Sequence, residues 1–269
     1  MTEIKHLTTS QMAQFAARGF LQLDTPIPDA LNKQFLNDIG KSSEQPDSII
    51  NHYDAIRQSS TIPIVPAGTA LRDAYPKGSA LAKLLADRFV AGAIDSLVGL
   101  DCLFDHHFLH ITFPEEMYPD AMRPVRAQNT HQDSTIDPRQ AFDVQVFYFP
   151  HEVTLAMGGT RFIPSSHFRI VSEASIGRYQ NVRGQQHVIC PAGTVMFFHM
   201  GLWHGGGMNR SDQKRYMFKI RLCPSKRQRR LWDPNASYDK AQRAIFWTGG
   251  QQPDSDHLHS ILTRPEKWF

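Results

Sequence analysis

Cysteine is scarce in this chain: among 269 residues there are three, Cys102, Cys190 and Cys223. An odd number, set far apart and without a C-x-x-C spacing, excludes a disulfide framework and a zinc ribbon. A charge excess of one sign is lacking too. The formal net charge is +3 and the pI about 8.8, so there is no nucleic-acid footprint. The densest basic run, Lys226-Arg227-Gln228-Arg229-Arg230, reads as a solvated face. No apolar run approaches membrane-spanning length, and "MTEIKHLTTSQMAQ" lacks the apolar core of a signal peptide. A reduced, cytoplasmic compartment and no membrane partner are the expectation. Internal repeats and low-complexity tracts are also missing. What remains, at 41% apolar and 20% charged, is an ordinary globular composition with ample material for a core.

The N-terminal third reads as helical. "TTSQMAQFAARG" opens with a capping-box pair, Thr8 and Gln11, and closes at Gly19, a natural helix stop. Residues 79–98 carry Leu81, Leu84, Leu85, Phe89, Ile94, Leu97 and Val98 at helical spacing, which predicts one packing helix. After about residue 102 the texture changes to short β-rich runs: "CLFDHHFLHITF", "FDVQVFYF", "TRFI", "QHVIC", "VMFFHM" and "RYMFKIRL". Helices followed by strands predict a single α+β domain over 1–269. Its helical part covers 1–100 and buttresses one face of a jelly-roll core at about 101–223. The segment 224–269 reads as a helical C-terminal elaboration.

The stretch "NTHQDS" holds His131 and Asp133 one residue apart, ahead of a strand. In extended chain, residues i and i+2 point the same way, so the pair offers one nitrogen and one oxygen to a common point. A second H-x-D, His52-Tyr53-Asp54, falls in the helical third, where the two side chains share no face; it reads as a surface or packing pair. A third ligand is sought at a later strand edge. His204 leaves an apolar run into three glycines that give a metal and its co-ligands room, whereas His199, inside "VMFFHM", reads as packing or hydrogen bonding. Two histidines, one carboxylate and open positions make the facial triad of a non-haem Fe(II) oxygenase. Arg215, opening the next strand, suits a carboxylate-bearing electron donor, because its fork binds carboxylate in bidentate fashion. Alone it would read as an exposed strand residue.

With "QNTHQDS", "GGTRFIPSSH", "PAGTVMFF" and "LWHGGGMNRSDQKR" in this order, residues 100–223 resemble the phytanoyl-CoA dioxygenase family of Fe(II)/2-oxoglutarate-dependent oxygenases. The first 40 residues, a helix leading to "RGFLQLDTPIP", resemble the family's entry. The resemblance implies a double-stranded β-helix core. It implies that His131, Asp133 and His204 hold iron and that Arg215 takes the distal carboxylate of 2-oxoglutarate. Gln128 and Thr160 match positions that assist cosubstrate binding in similar enzymes. Two departures stand out. Gly206 replaces a serine or threonine that touches 2-oxoglutarate in some members, and Pro164–His167 reads "PSSH" where "PGSH" is commoner. His167 reads as structural. His106, His107 and His110 either line the substrate side or are satisfied strand histidines.

The activity this implies is hydroxylation of a C–H bond of a small molecule, using Fe(II), 2-oxoglutarate and O2 and releasing succinate and CO2. Asp133 favours hydroxylation or desaturation, since related halogenases lack that carboxylate. A cupin-like metal protein that binds a small molecule without redox turnover is the alternative. A nucleic-acid demethylase is disfavoured by the weak net charge and the missing aromatic–basic ladder. The substrate is not legible, because one fold hosts many substrates. Residues 43–78 and the approach "EEMYPDAMRPVR" are candidates for a lid and entrance. Arg57, Arg72, Arg123 and Arg126 suit an anionic or carboxylated substrate, or are solvated. The ending "RPEKWF" shows no peroxisomal address. Oligomeric state is not readable.

Overall fold

The first helix, α1 (Thr9–Arg18), begins where the Thr8 side chain accepts from the Gln11 amide and the Gln11 side chain accepts from the Thr8 N–H. It ends at Gly19, whose φ of 78° is open to glycine at no steric cost. The structure, a computed structural model, describes residues 3–39, 49–99, 101–118, 128–133, 143–169, 171 and 173–225. The predicted elaboration after 225, the run Lys226–Arg230, Arg123 and Arg126 lie outside the described residues. So do most of the proposed entrance and the side chains of Tyr53, Asp54 and Arg57.

Further helices are α2 (Asp29–Asp38), α3 (Ile49–Ser59), α4 (Ala80–Ala86), α5 (Arg88–Leu97) and the single turn α6 (Glu173–Ile176). The one helix expected over 79–98 is thus two. Asp87 breaks it: its backbone leaves the helix at ψ 135°, and its carboxylate accepts from the Phe89 and Val90 N–H groups at 2.9 and 3.2 Å. Apolar spacing runs on through the break, so periodicity alone does not reveal this N-cap.

Strands β1 (Phe20–Gln22), β2 (Leu103–Thr112), β3 (Val144–Phe149), β6 (Thr194–His199) and β8 (Arg215–Cys223) form an antiparallel sheet in the order β1-β6-β3-β8-β2. A second antiparallel sheet holds β5 (Gln186–His187), β4 (Thr160–Phe162) and β7 (His204–Gly206) in the order β5-β4-β7. The chain is α+β with antiparallel sheets. Strands β1 and β7 were not expected as strands. In particular, His204 heads a short strand of its own and does not leave the apolar one.

Two apolar layers hold this together. Helices cover the outer face of the larger sheet, where Phe35 of α2, fully buried, sets its ring 5.1 Å from Tyr148 and 5.3 Å from Phe218. Enclosing such a side chain stabilises by about 1.5–3 kcal/mol. The inner face meets the smaller sheet through Phe20, Phe147, Phe162, Phe198 and Met217. Strand β8 is buried along its whole length because it has a layer on either side. Its apolar residues, Tyr216, Phe218, Ile220 and Leu222, pack in the helix-side core. Arg215, Met217, Lys219 and Arg221 therefore alternate onto the inner face. That charged row is enclosed, not solvated.

Candidate metal centre

His131 and His204 meet across an isolated antiparallel bridge. The His131 N–H donates to the His204 carbonyl at 2.8 Å, and the His204 N–H donates back at 2.9 Å. Their ring centroids are 4.5 Å apart. The His131 Nδ1 lies 2.9 Å from the Asn129 carbonyl and the His204 Nδ1 lies 2.8 Å from the Leu202 carbonyl. A carbonyl only accepts, so each ring carries a proton on Nδ1 and turns Nε2, the nitrogen a metal would take, toward Asp133. Fixing the tautomer through the other nitrogen is what a metal-ligating histidine needs.

Asp133 completes the group. Its carboxylate oxygens lie 3.5 Å from His131 Nε2 and 3.8 Å from His204 Nε2, and all three ligand atoms fall within 4.8 Å of one another. One cation bridges gaps of that size. The donor set, two imidazoles and a carboxylate, suits a borderline divalent ion with open positions. Lys219 Nζ donates to Asp133 Oδ2 at 2.6 Å. Burial pushes the Asp133 carboxyl up, but the Lys219 ammonium and the His131 hydrogen bond outweigh it and hold it well below the usual range. Burial, then His131, lowers His204 to about 4, so its ring is neutral at working pH. For His131, Asp133 outweighs burial and raises the pKa.

Gln128 sits beside this group. Its Oε1 accepts from the Gly206 N–H at 3.0 Å. Arg161 of β4 donates to the Gln128 carbonyl and to Gln180 Oε1, tying the 128–131 segment down from outside. The glycines after His204 serve that segment. A Cβ on Gly205 would stand 2.7 Å from the Gln128 carbonyl oxygen and 2.9 Å from that of Asn129. The room at Gly205 and Gly207 is taken by backbone, whereas a Cβ on Gly206 would face the Gln128 side chain and, at 3.9 Å, the Arg215 guanidinium. Thr160 is buried and pairs in register with Gly206. Arg215 is buried at 3% exposure. Its Nη2 donates to Thr112 Oγ1 at 2.6 Å, while Nε and Nη1 are enclosed without a partner. Burial lowers its pKa to about 10, which leaves it charged. Unanswered donors on a buried, charged guanidinium call for an anion.

A family model described as "Phytanoyl-CoA dioxygenase (PhyH)" matches residues 25–217. The chain belongs to that family. Phytanoyl-CoA dioxygenases work with Fe(II), 2-oxoglutarate and O2. No curated protein sequence matches the chain. Solved structures do. The "non-heme alpha ketoglutarate dependent carbocyclase SnoK from nogalamycin biosynthesis" is 14% identical, with a TM-score of 0.58 over 93% of this chain and 95% of its own. HygX from Streptomyces hygroscopicus, with nickel and 2-oxoglutarate bound, is 12% identical, with a TM-score of 0.57 over 82% and 88%. EvdO2 from Micromonospora carbonacea var. aurantiaca, complexed with 2-oxoglutarate, is 16% identical, with a TM-score of 0.55 over 87% and 97%. At such identities the likeness is one of fold.

Within this chain the remaining histidines separate cleanly. His199 accepts from the Gly201 N–H at 3.0 Å and stacks on His167, whose Nε2 donates to the Ala16 carbonyl at 2.9 Å. Both are structural. His52 is buried, not surface, with Nε2 2.9 Å from the Tyr216 hydroxyl. His107 faces the helices and meets the Tyr75 hydroxyl at 2.8 Å, while His106 pairs with Asp105 at 2.8 Å. His110 lies on the inner face opposite Met217, with Nε2 enclosed and unpartnered. Arg72 is solvent-exposed beside Asp73. Sequence reasoning missed Arg161, Lys219 and Gln145. The signal for Lys219 was its even spacing from Arg215 along one strand. No described helix is long and apolar enough to cross a membrane.

Proposed function

We propose that the chain is an Fe(II)- and 2-oxoglutarate-dependent dioxygenase that hydroxylates a C–H bond of a small molecule, releasing succinate and CO2. In this reading the whole chain is one oxygenase domain, and its two sheets are the faces of a double-stranded β-helix. One observation carries the proposal. Two tautomer-locked histidines and a carboxylate converge on a point, on the same inner face that presents the unanswered donors of Arg215. His131, Asp133 and His204 are the iron ligands. When bound, iron and 2-oxoglutarate supply the oxidising power. The chain's residues hold and orient them: Arg215 takes the distal carboxylate, with Gln128 and Thr160 beside it. Phe147 and Phe198, their rings 6.0 and 6.2 Å from that of His204, keep water from one side of the centre. Asp133 fills the position that a halide would need, which favours hydroxylation.

The test is anaerobic titration of the protein with Fe(II) and 2-oxoglutarate, following the weak visible charge-transfer band of the chelate. A band in the wild type that disappears in Asp133→Ala is expected. Bound iron without a band would sink the oxygenase reading and leave a metal-dependent binding protein.

A further inference from the structure

The oxygenase reading assigns Arg215 to the cosubstrate and Asp133 to the metal. It leaves two buried polar groups on the inner face unused. Lys219 is 6% exposed and has three N–H donors, of which one meets Asp133 and none meets any other described residue. Gln145 of β3 is fully buried, and among the described residues neither its Oε1 nor its Nε2 has a partner. A primary amide enclosed with nothing to bond is costly unless a ligand answers it.

Register places the two together. Lys219 lies opposite Phe147, and Gln145 lies opposite Arg221, one pleat further along the same pair of strands. Lys219 and Gln145 are therefore diagonal neighbours on one face, with Cα atoms about 7–8 Å apart. On its other side Gln145 faces Phe198, one of the two rings beside His204. The remaining buried acids on this wall are engaged. Arg221 Nε is 2.8 Å from Asp143 and 3.7 Å from Asp105, and Asp105 also meets His106.

We propose that Lys219 and Gln145 form a subsite for a carboxylate on the substrate, beside the metal centre. This rests on the oxygenase reading and names the substrate class for that site. The chemistry follows from the donors. Once Asp133 serves a dication, the Lys219 ammonium stands next to positive charge, and an anion is the partner that relieves it. The Gln145 amide adds an N–H from a neighbouring direction. A carboxylate brings the negative charge that answers the ammonium and accepts from the Gln145 amide N–H, whereas a neutral carboxamide offers the ammonium a carbonyl but no charge. Aromatic Phe108, 5.2 Å from the ammonium, and Phe147 give the rest of such a substrate an apolar wall.

The experiment uses the full chain loaded with Zn(II), which is diamagnetic and does not react with O2, at saturating 2-oxoglutarate. Benzoate, phenylacetate and hexanoate are each compared with the matching carboxamide by saturation-transfer NMR. Binding of 2-oxoglutarate is measured first and separately, since its failure in the wild type strikes the oxygenase reading itself. With 2-oxoglutarate bound, at least one acid is expected to bind ten times more tightly than its amide. Lys219→Met and Gln145→Leu should each abolish that preference, Lys219→Arg should keep part of it, and the affinity for 2-oxoglutarate should stay within threefold. Acids and amides binding alike, no acid binding at all, or a preference that survives both substitutions would overturn the proposal. A large loss of 2-oxoglutarate affinity in Lys219→Met would overturn it as well, by assigning the lysine to the cosubstrate.

Discussion

Replacing Arg215 by methionine should push two properties of the protein in opposite directions. The guanidinium has Nε and Nη1 enclosed and without partners among the described residues, and the proposed reading gives it the distal carboxylate of 2-oxoglutarate. A charge-assisted hydrogen bond is worth about 1.5–3 kcal/mol, so losing even one costs that much binding. At about 1.4 kcal/mol per tenfold, affinity should fall by roughly tenfold at the least. The ligand-free protein should gain. Burial lowers the Arg215 pKa from 12.5 to about 10. At about 1.4 kcal/mol per pKa unit, the charged side chain costs the empty fold about 3 kcal/mol at working pH. Methionine removes that cost and forfeits the charge-assisted bond to Thr112, worth about 1.5–3 kcal/mol, so the net is a stabilisation of up to about 2 kcal/mol. For a chain this size the melting temperature should rise by up to a few degrees. The assay is the charge-transfer titration beside thermal unfolding without metal or cosubstrate. Affinity within about threefold of wild type, or a ligand-free variant that melts several degrees lower, would refute the reasoning.

Gly205→Ala should weaken metal binding about tenfold or more, because its Cβ meets the Gln128 carbonyl oxygen at 2.7 Å and displaces the segment carrying His131. Gly206→Ala, whose nearest neighbour would be at 3.5 Å, should bind metal as the wild type does; calorimetry with Zn(II) separates the two. Ser165 has φ 66° and its hydroxyl donates to the Ala17 carbonyl at 2.8 Å. Ser165→Ala keeps the strain and loses that bond, about 1 kcal/mol in urea unfolding, while Ser165→Gly trades bond for relief and should stay within about 1 kcal/mol of wild type. His52 is lowered from 6.5 to about 4 by burial and by the Lys214 charge. The unfolded chain therefore binds the proton first, so this contribution is whole above pH 6.5 and is lost as pH falls toward 4. Between pH 7 and 4.5 the wild type should lose about 2 kcal/mol more stability than His52→Gln; equal losses would show that the imidazole stays solvated.

The convergence of His131, Asp133 and His204 was legible because its chemistry is local. His131 and Asp133 share a face by extended-chain alternation, and His204 is marked by the three glycines after it. The meaning of that mark was not legible. "HGGG" reads as space for a ligand, whereas at Gly205 and Gly207 the structure fills the space with the backbone at residues 128, 129 and 158. Only three-dimensional proximity could show it. Thr8 and Gln11 were readable as a cap since both partners lie within one turn. Asp87 was not, as it interrupts a periodicity that its neighbours carry on. Lys219, Arg221 and Gln145 were missed for a common reason. A strand that alternates apolar and polar residues reads as half-solvated, and only the second sheet turns the polar half into an interior. Arg215 escaped that reading because the triad before it calls for a carboxylate-bearing partner.

The alternation along β8 also bears on how the chain finds its pairing. Sliding this strand by one residue against β2 and β3 exchanges its two faces. Arg215, Lys219 and Arg221 would then enter the layer beneath the helices, against Phe35, Val146 and Leu109, while Asp133, Asp105 and Asp143 would lose the cations they face. Each unpaired interior charge costs several kcal/mol, so the slipped arrangement is heavily penalised where a plain apolar strand would tolerate it. Three basic side chains on a central strand thus act as a proofreading device for assembly: they make the mispaired sheet a poor competitor before any iron or cosubstrate is present.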